Sequence, residues 1–198
     1  MFIDDHLVSF DSKAFAEYMF AKPNGEELWV MLIEKAYAKY EGGYANIYGG
    51  LMYPELTWLT GAMTRNIPVT NPQLWNEIYN GIQSNYIITA ASNIGSGNHN
   101  NKSAKGISNG HAYSILDAKE YLKESGNVRL LVLRNPWGHT EWKGDWADDD
   151  IKNWTPEMKS FFEYEKCSGN NGVFFIPIEE FVKEFKNIII CCLDSGKK

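Results

Sequence analysis

Cysteine is scarce in this 198-residue chain, and its three cysteines, Cys167, Cys191 and Cys192, all come late in the sequence. An odd count with two adjacent residues does not suit a disulfide framework of the kind used by small secreted domains. No cysteine precedes His111. The pattern predicts reduced thiols in a cytoplasmic protein, with no thiol nucleophile ahead of the histidine.

An excess of basic residues and a long apolar run are also missing. The chain has 19 Lys and Arg against 25 Asp and Glu, a formal net charge of −6 at pH 7, and no basic stripe, so no nucleic-acid partner is expected. No apolar run approaches the roughly 20 residues that a membrane span requires. The first residues lack the basic and apolar regions of a secretory signal. We therefore expect a cytoplasmic protein without a membrane span.

The chain is 44% hydrophobic and 14% aromatic, enough for a well-packed domain, and its first part reads as helical. Apolar residues three to four apart predict a helix capped by Asn24 and Glu27 and ended by Gly42. Its apolar positions are Leu28, Trp29, Leu32, Ile33, Ala36, Tyr37 and Tyr40. Residues 42–66 have no clear period, and a second helix is predicted from Asn71.

The later part of the chain reads as β-structure. Strands are predicted at residues 86–91, 111–121 and 128–133, the last two forming a hairpin around a turn at 124–127. The Ser-, Asn- and Gly-rich stretch 92–109 is predicted to be a mobile loop that adds nothing to the core. A helix capped by Thr155 and a closing strand–helix–strand over 172–193 follow. Helices followed by antiparallel strands, without βαβ alternation, favour an α+β fold.

His111 and Asn135 stand at the start of one hairpin strand and the end of the other. Antiparallel pairing brings these two positions together. An imidazole can take a proton from a thiol, and an amide oxygen can hold the ring in the required tautomer. Trp137 follows two residues later, where its indole would shield that bond from water. The alternative is an ordinary hairpin with a Pro-Gly turn and a core tryptophan, which explains each residue singly but not their convergence.

Several motifs in the same order resemble the second half of the calpain protease core, the His/Asn subdomain. The resemblance covers residues 24–193, with residues 1–23 as a lead-in segment and 194–198 as a tail. The motifs are Leu32–Lys39, Gly49–Gly50, Thr60–Gly61, Gly110–Ser114, Arg134–Gly138, Glu141–Trp146 and Phe174–Phe185.

The resemblance implies a papain-like second subdomain, with an antiparallel, barrel-like β-sheet core and peripheral helices. It makes His111 the general base, Asn135 the amide that orients it, and Trp137 the indole that shields the cleft. It also implies a calpain-like cysteine endopeptidase acting on protein substrates. The nucleophile would come from a Cys-bearing half of the core as partner, so this chain alone is expected to be inactive.

The family's calcium dependence is expected to be reduced here. In the resemblance, Glu141 and Asp148 match the carboxylates of the first calcium loop, and Asn171 and Val173 stand where the second loop has an Asp and a Glu. Gly169 still offers a carbonyl. Calcium prefers six to eight oxygen ligands, and its affinity falls as carboxylates are removed. We therefore expect this depleted site to bind calcium weakly or not at all.

Three other functions are alternatives to the endopeptidase. Transglutaminase-like enzymes share the Cys-then-His order but use Asp as the third member, where this chain has Asn135. A metal hydrolase would need ligands in register, and the four histidines have no His-x-x-x-His spacing. The strongest rival is a non-enzymatic, calpain-like interaction module, a pseudoprotease whose nucleophilic half was lost or replaced.

Overall fold

The computed structural model of the chain describes residues 2–4, 6–7, 9–10, 17–18, 20–21, 26–95, 102–123 and 126–193. The chain divides into two compact units, Met1–Leu51 and Met52–Lys198. The predicted boundaries at residues 23 and 193 stay a prediction, and the tail 194–198 lies outside the described residues. The described elements of the first unit are β1 (Ser9–Phe10), β2 (Glu17–Tyr18), α1 (Trp29–Tyr40) and a 3₁₀ turn at Tyr44–Ile47.

Helix α1 confirms the predicted helix but not its predicted start. It begins at Trp29, and Leu28 before it makes no side-chain capping hydrogen bond. Glu27 therefore precedes the helix, and Asn24 lies outside the described residues.

The predicted apolar face of α1 is largely exposed. Trp29 is 59% exposed and Tyr40 55%, whereas Met31 and Ala38 are buried. The three-to-four periodicity thus identified the helix but not the side that it buries.

The elements of the second unit are α2 (Met52–Thr60), β3 (Met63–Pro68), α3 (Leu74–Gln83), β4 (Ile87–Ser92), β5 (Ala112–Tyr121), β6 (Val128–Arg134), α4 (Pro156–Phe162), β7 (Val173–Pro177), α5 (Ile178–Glu184) and β8 (Phe185–Cys192).

The strands β3 to β8 form a six-stranded antiparallel sheet with the order β3-β8-β4-β5-β6-β7. The sheet and its helices agree with the predicted α+β class. The barrel-like closure is wrong, because the sheet of the described residues is open and β3 and β7 are its two edges. Alternating side chains reveal strands, whereas closure depends on how the outer strands tilt and stagger.

Strand β6 is buried on both faces, which explains its nearly unbroken apolar sequence. Leu131 and Leu133 belong to a cluster that includes residues of α3 and α5. Leu130 and Val132 point the other way, into a cluster with Phe162 of α4 and several aromatic rings. Strand β6 ends at Arg134. Asn135 therefore directly follows a strand that is fixed by packing on both of its faces.

The segment before His111 corrects the prediction of a loop with no part in the core. Ile107 is 1% exposed and belongs to the larger apolar cluster, and Ser108 is equally buried. Ser103 and Ile107 close a tight turn, with the Ile107 carbonyl accepting from the Ser103 amide at 2.7 Å. The predicted mobility of residues 92–109 stays a prediction; residues 96–101 lie outside the described residues, as do residues 124 and 125 of the hairpin turn.

In the second half of the chain, the predictions made from local sequence agree with the structure more closely than they do for helix α1. Thr155 caps α4, because its side chain accepts a hydrogen bond from the Met158 amide at 3.3 Å. The predicted hairpin is confirmed by the pairing of β5 with β6, in which Ser114 faces Arg134. None of the helices in the described ranges is long and apolar enough to cross a lipid bilayer.

Candidate active site at the His111–Asn135 pair

Asn135 is fixed by the turn that ends β6. The Gly138 amide donates to the Asn135 carbonyl at 3.0 Å, and Gly138 has a φ of +72°, which suits glycine at the end of an Asn-Pro-Trp-Gly turn. The Asn135 side chain caps its own turn, with Oδ1 accepting from the Trp137 amide at 3.1 Å. This fully buried amide is therefore oriented by local sequence as well as by its neighbours.

His111 is anchored through Ser92, the last residue of β4. The His111 amide donates to Ser92 Oγ at 2.9 Å, and the Ser92 hydroxyl donates to the Ser108 carbonyl at 2.6 Å. The Tyr113 ring meets the imidazole edge-on at 5.1 Å between centroids. His111 comes two residues before Tyr113, so the two side chains lie on the same side of the chain. Tyr113 belongs to the larger core cluster, and the imidazole contacts that cluster through this ring.

The predicted contact between the two side chains is confirmed. His111 Nε2 lies 2.9 Å from Asn135 Oδ1. Asn135 Nδ2 donates to the Thr140 carbonyl at 3.1 Å, and a carbonyl only accepts, so the amide orientation is settled by its partners. With Oδ1 facing the imidazole, Nε2 must carry the proton. In the neutral ring Nδ1 is then the basic nitrogen, free to receive a proton.

Burial lowers the pKa of His111 below its ordinary value of 6.5, and the hydrogen bond to Asn135 offsets part of that effect. The imidazole is therefore mostly neutral at pH 7, which is the form that a general base needs.

Trp137 covers the imidazole. Its ring centroid lies 4.1 Å from that of His111, with the planes tilted by 34°, while 49% of the residue stays exposed. One side of the indole thus contacts the histidine and much of the rest faces solvent. Its role in shielding the cleft stays a prediction.

The loops that contain Glu141, Asp148 and Asn171 do meet, but through hydrogen bonds within the protein. Glu141 Oε1 accepts from the Asn171 amide at 3.0 Å and from the Gly172 amide at 2.7 Å. Asp148 Oδ2 accepts from the Gly169 amide at 2.7 Å. Asn171 Oδ1 accepts from the Val173 amide at 2.7 Å. The carboxylates of Glu141 and Asp148 therefore hold the loops together directly, whereas the Asn171 side chain bonds within its own loop.

These residues do not fit a calcium ion. The only predicted ligand with a buried, unpartnered oxygen in the described part of the chain is Asp148, at Oδ1. Burial raises the pKa of the Asp148 carboxyl, as do the nearby carboxylates of Glu141 and Asp149. Val173 has no side-chain oxygen, and across the described ranges no three His, Cys, Asp or Glu side chains converge as a metal site. Glu141 and Asp148 are the two predicted ligands with a carboxylate, and two carboxylates fall short of the six to eight oxygens that calcium prefers.

Two residues that sequence analysis missed support the pair. The Asn135 amide donates to the Gly172 carbonyl at 2.8 Å, and Gly172, with a φ of +81°, lies directly against Gly138. Thr140 also has a positive φ, +71°, unusual for a β-branched residue and costing about 1–2 kcal/mol. The glycine-rich turn was a weak signal for Gly172, and nothing in the sequence singled out Thr140.

Comparison with known proteins places the chain in a family of cysteine proteases. The model of the calpain family of cysteine proteases matches residues 1–192. Calpain-type cysteine protease ADL1 of Oryza sativa subsp. japonica is 37% identical over 175 residues, 83% of this chain and 8% of that protein. The calpain-1 catalytic subunit of Rattus norvegicus is 30% identical over 96% of this chain and 27% of its own length.

Human calpain-7 is likewise 30% identical, over 95% of this chain and 23% of its own length. The chain belongs to the calpain family. It spans about a quarter or less of these relatives.

Proposed function

We propose that this chain is the His/Asn-bearing half of a calpain-like cysteine endopeptidase core. It hydrolyses peptide bonds of protein substrates when joined to a Cys-bearing half, and it is inactive alone. The observation that carries the proposal is the 2.9 Å contact between His111 Nε2 and Asn135 Oδ1, which leaves Nδ1 as the basic nitrogen.

In the complete core, a cysteine thiol presented to His111 Nδ1 would give up its proton to the imidazole. The resulting thiolate attacks the carbonyl carbon of the scissile bond, and the C–N bond then breaks to give a thioester. The imidazolium returns the proton from Nδ1 to the departing amine nitrogen. Water, deprotonated by the same nitrogen, hydrolyses the thioester and releases the free thiol.

Asn135 supports this cycle by accepting from Nε2–H in both protonation states of His111. The ring thus keeps Nδ1 directed away from Asn135 while the proton comes and goes. Trp137 limits the access of water to this bond, which strengthens it in a less polar surrounding. These are positioning roles, and the proton transfer belongs to His111.

Inactivity of the chain alone is supported by the state of its own cysteines. All three are free, and all follow Asn135 in sequence, whereas the family order is Cys, His, Asn. Cys191 is buried beside Thr60 Oγ1 at 3.3 Å. Burial raises the pKa of the Cys167 thiol, which makes thiolate formation less favourable.

The proposal is tested with the purified chain, alone and joined to a Cys-bearing half of a calpain core. Casein and a fluorogenic peptide should not be cleaved by the chain alone, with or without calcium. The joined core should cleave both, and His111→Ala should abolish cleavage while His6→Ala leaves it unchanged. Cleavage by the chain alone that His111→Ala abolishes would reveal a hidden nucleophile, such as Cys167, and overturn inactivity.

The same experiment separates the rival function. A stable but inactive assembly of the two halves would contradict the endopeptidase and favour a non-enzymatic, calpain-like interaction module. We further propose that calcium binds weakly or not at all to this subdomain. The cytoplasmic location stays a prediction from cysteine usage.

A further inference from the structure

A cavity of about 440 Å³ lies next to the candidate active site, along the loop that follows the Asn135 turn. Its lining includes Lys102, His139, Thr140 and Lys143. The Thr140 carbonyl accepts from the Asn135 side chain, and the Thr140 hydroxyl accepts from Lys102 Nζ at 2.9 Å. One residue therefore links the cavity to the His111–Asn135 pair.

Positive charge dominates the lining of this cavity. Neither Lys102 nor Lys143 forms a salt bridge with any carboxylate in the described ranges, whereas nearby Lys105 is paired with Glu180. The one acidic residue of the lining, Glu141, already accepts two backbone hydrogen bonds from the neighbouring loop. Two lysines without a carboxylate partner in the described ranges thus line one cavity, in a chain whose net charge is −6.

The lining is held in place by the backbone. The Lys143 amide donates to the Lys105 carbonyl at 2.9 Å. Gly106, with a φ of +91°, lies so close to the Glu141 carbonyl that a Cβ there would overlap it. The segment that contains Lys102 is thereby fixed against the segment that contains Thr140 and Lys143. Gly106 permits this close approach because any other residue would place a Cβ against the Glu141 carbonyl, and both segments thus line the same cavity.

We propose that this cavity, the cationic pocket, binds an acidic side chain of the protein substrate. A carboxylate can accept from the lysine ammonium groups, and a concave, positively charged site concentrates such anions. The pocket is large enough for a glutamate side chain. The inference rests on the proposed function, because it takes the peptide that lies against His111 to be the source of the carboxylate.

A glutamate carboxylate and free phosphate are both anions that can accept hydrogen bonds from lysine, so the test includes both. The probes are the blocked peptide acetyl-Ala-Ala-Glu-Ala-Ala-amide, its counterpart with Gln in place of Glu, and inorganic phosphate. Each is titrated into the full chain at low ionic strength, and the backbone amide signals of Thr140 and Lys143 are followed by NMR. The variants are Lys102→Gln/Lys143→Gln and the matched control Lys152→Gln/Lys186→Gln, which removes the same charge elsewhere.

We expect the Glu peptide to bind saturably and the Gln peptide about tenfold more weakly, the value of one charge-assisted hydrogen bond. The pocket variant should bind the Glu peptide about tenfold more weakly than the native chain, and the control variant should bind it equally well. Both variants should keep the melting temperature of the native chain. Added salt should weaken binding of the Glu peptide more than binding of the Gln peptide, because salt screens the attraction between charges.

Equal binding of the two peptides, or equal loss in the two double variants, would overturn the proposal. So would tight phosphate binding without peptide binding, which would make the pocket a site for free anions. Because this readout needs no catalysis, its failure is distinct from failure of the proposed endopeptidase. An active joined core with no Glu preference contradicts the pocket alone, and an inactive core with intact Glu binding contradicts only the endopeptidase.

Discussion

At the scale of single residues, Asn135 makes three side-chain hydrogen bonds, to His111, Trp137 and Thr140. Its amide is one of the few fully buried polar groups among the described residues. Each of its partners is a backbone or ring group that cannot easily find a substitute. The residue therefore stabilises the fold as well as orienting the imidazole.

Replacing Asn135 by Ala should lower the free energy of unfolding by about 1–3 kcal/mol, because it leaves buried donors and an acceptor without partners. Urea unfolding measures the change. Asn187→Ala is the matched control: among the described residues its side-chain amide bonds to Asn66 alone, at 2.6 Å in an exposed contact, so its effect should stay within about 0.5 kcal/mol. Equal effects of the two variants would contradict a structural role for Asn135.

The lowered pKa of His111 makes stability depend on pH. The folded chain holds the histidine neutral below its ordinary pKa of 6.5, so the unfolded chain binds more protons there. Stability from this residue is therefore complete above that pH and is lost as the pH falls through the lowered folded pKa.

His111→Gln removes the titration while keeping a donor for Asn135. The stability of the native chain relative to this variant should decline between about pH 7 and pH 5, measured by urea unfolding at each pH. The variant's own pH dependence serves as the control for all other groups. A difference that stays constant across this range would show that the histidine pKa is not lowered.

At the scale of elements, the site depends on how the loop before β7 approaches the turn after β6. Gly172 is the contact: its amide donates to Glu141, and its carbonyl accepts from Asn135. A Cβ at Gly172 would lie 2.8 Å from Gly138 Cα and 2.9 Å from the Asn135 carbonyl oxygen. No side chain can be added there without moving the turn that carries Asn135.

Gly172→Ala should therefore destabilise the chain and displace Asn135. Positive φ alone costs about 1–2 kcal/mol, and the overlap adds about 1–3 kcal/mol. Gly169→Ala is the control, since Gly169 has a φ of +102° but open space around it. Only Gly172→Ala should also shift the His111 ring signals in NMR spectra. If both variants behave alike, the close approach is not what holds the turn.

At the scale of the whole molecule, two stretches of chain that are distant in sequence meet at the proposed calcium loops, one with Glu141 and Asp148 and the other around residues 169–172. Glu141 and Asp148 accept hydrogen bonds from backbone amides of the loop around residues 169–172. Calorimetry with millimolar calcium should detect no saturable site of micromolar affinity. The reason is the small number of free oxygens, since calcium affinity rises with carboxylate count and coordination number.

The double variant Asn171→Asp/Val173→Glu is the positive control for this calcium-binding experiment. It adds two carboxylates to the second loop and should raise calcium affinity well above that of the native chain. Stoichiometric binding of micromolar affinity by the native chain would show that the loops rearrange to expose their carboxylates. Melting temperatures with and without calcium provide a second readout, because ligand binding to the folded state raises them.

Much of this molecule could be predicted from local sequence. The strands β5 and β6, the Thr155 cap and the His111–Asn135 contact all follow from short-range patterns and from the pairing of one hairpin. Helix α2 and strand β3 could not be predicted, because residues 42–66 lack a clear period. The start of α1 was also missed, since the predicted cap was not the one that the helix uses.

The sequence by itself determined which chemistry is present: a histidine and an asparagine at paired strand ends, a tryptophan two residues later, and no cysteine before them. Those features depend on neighbours in the chain or across one hairpin, so they survive without knowledge of the rest. Only the tertiary structure decided that the sheet stays open, that Ile107 joins the core, and that Gly172 and Thr140 hold Asn135. These outcomes depend on segments far apart in sequence, whose approach is set by packing and backbone geometry rather than by local pattern.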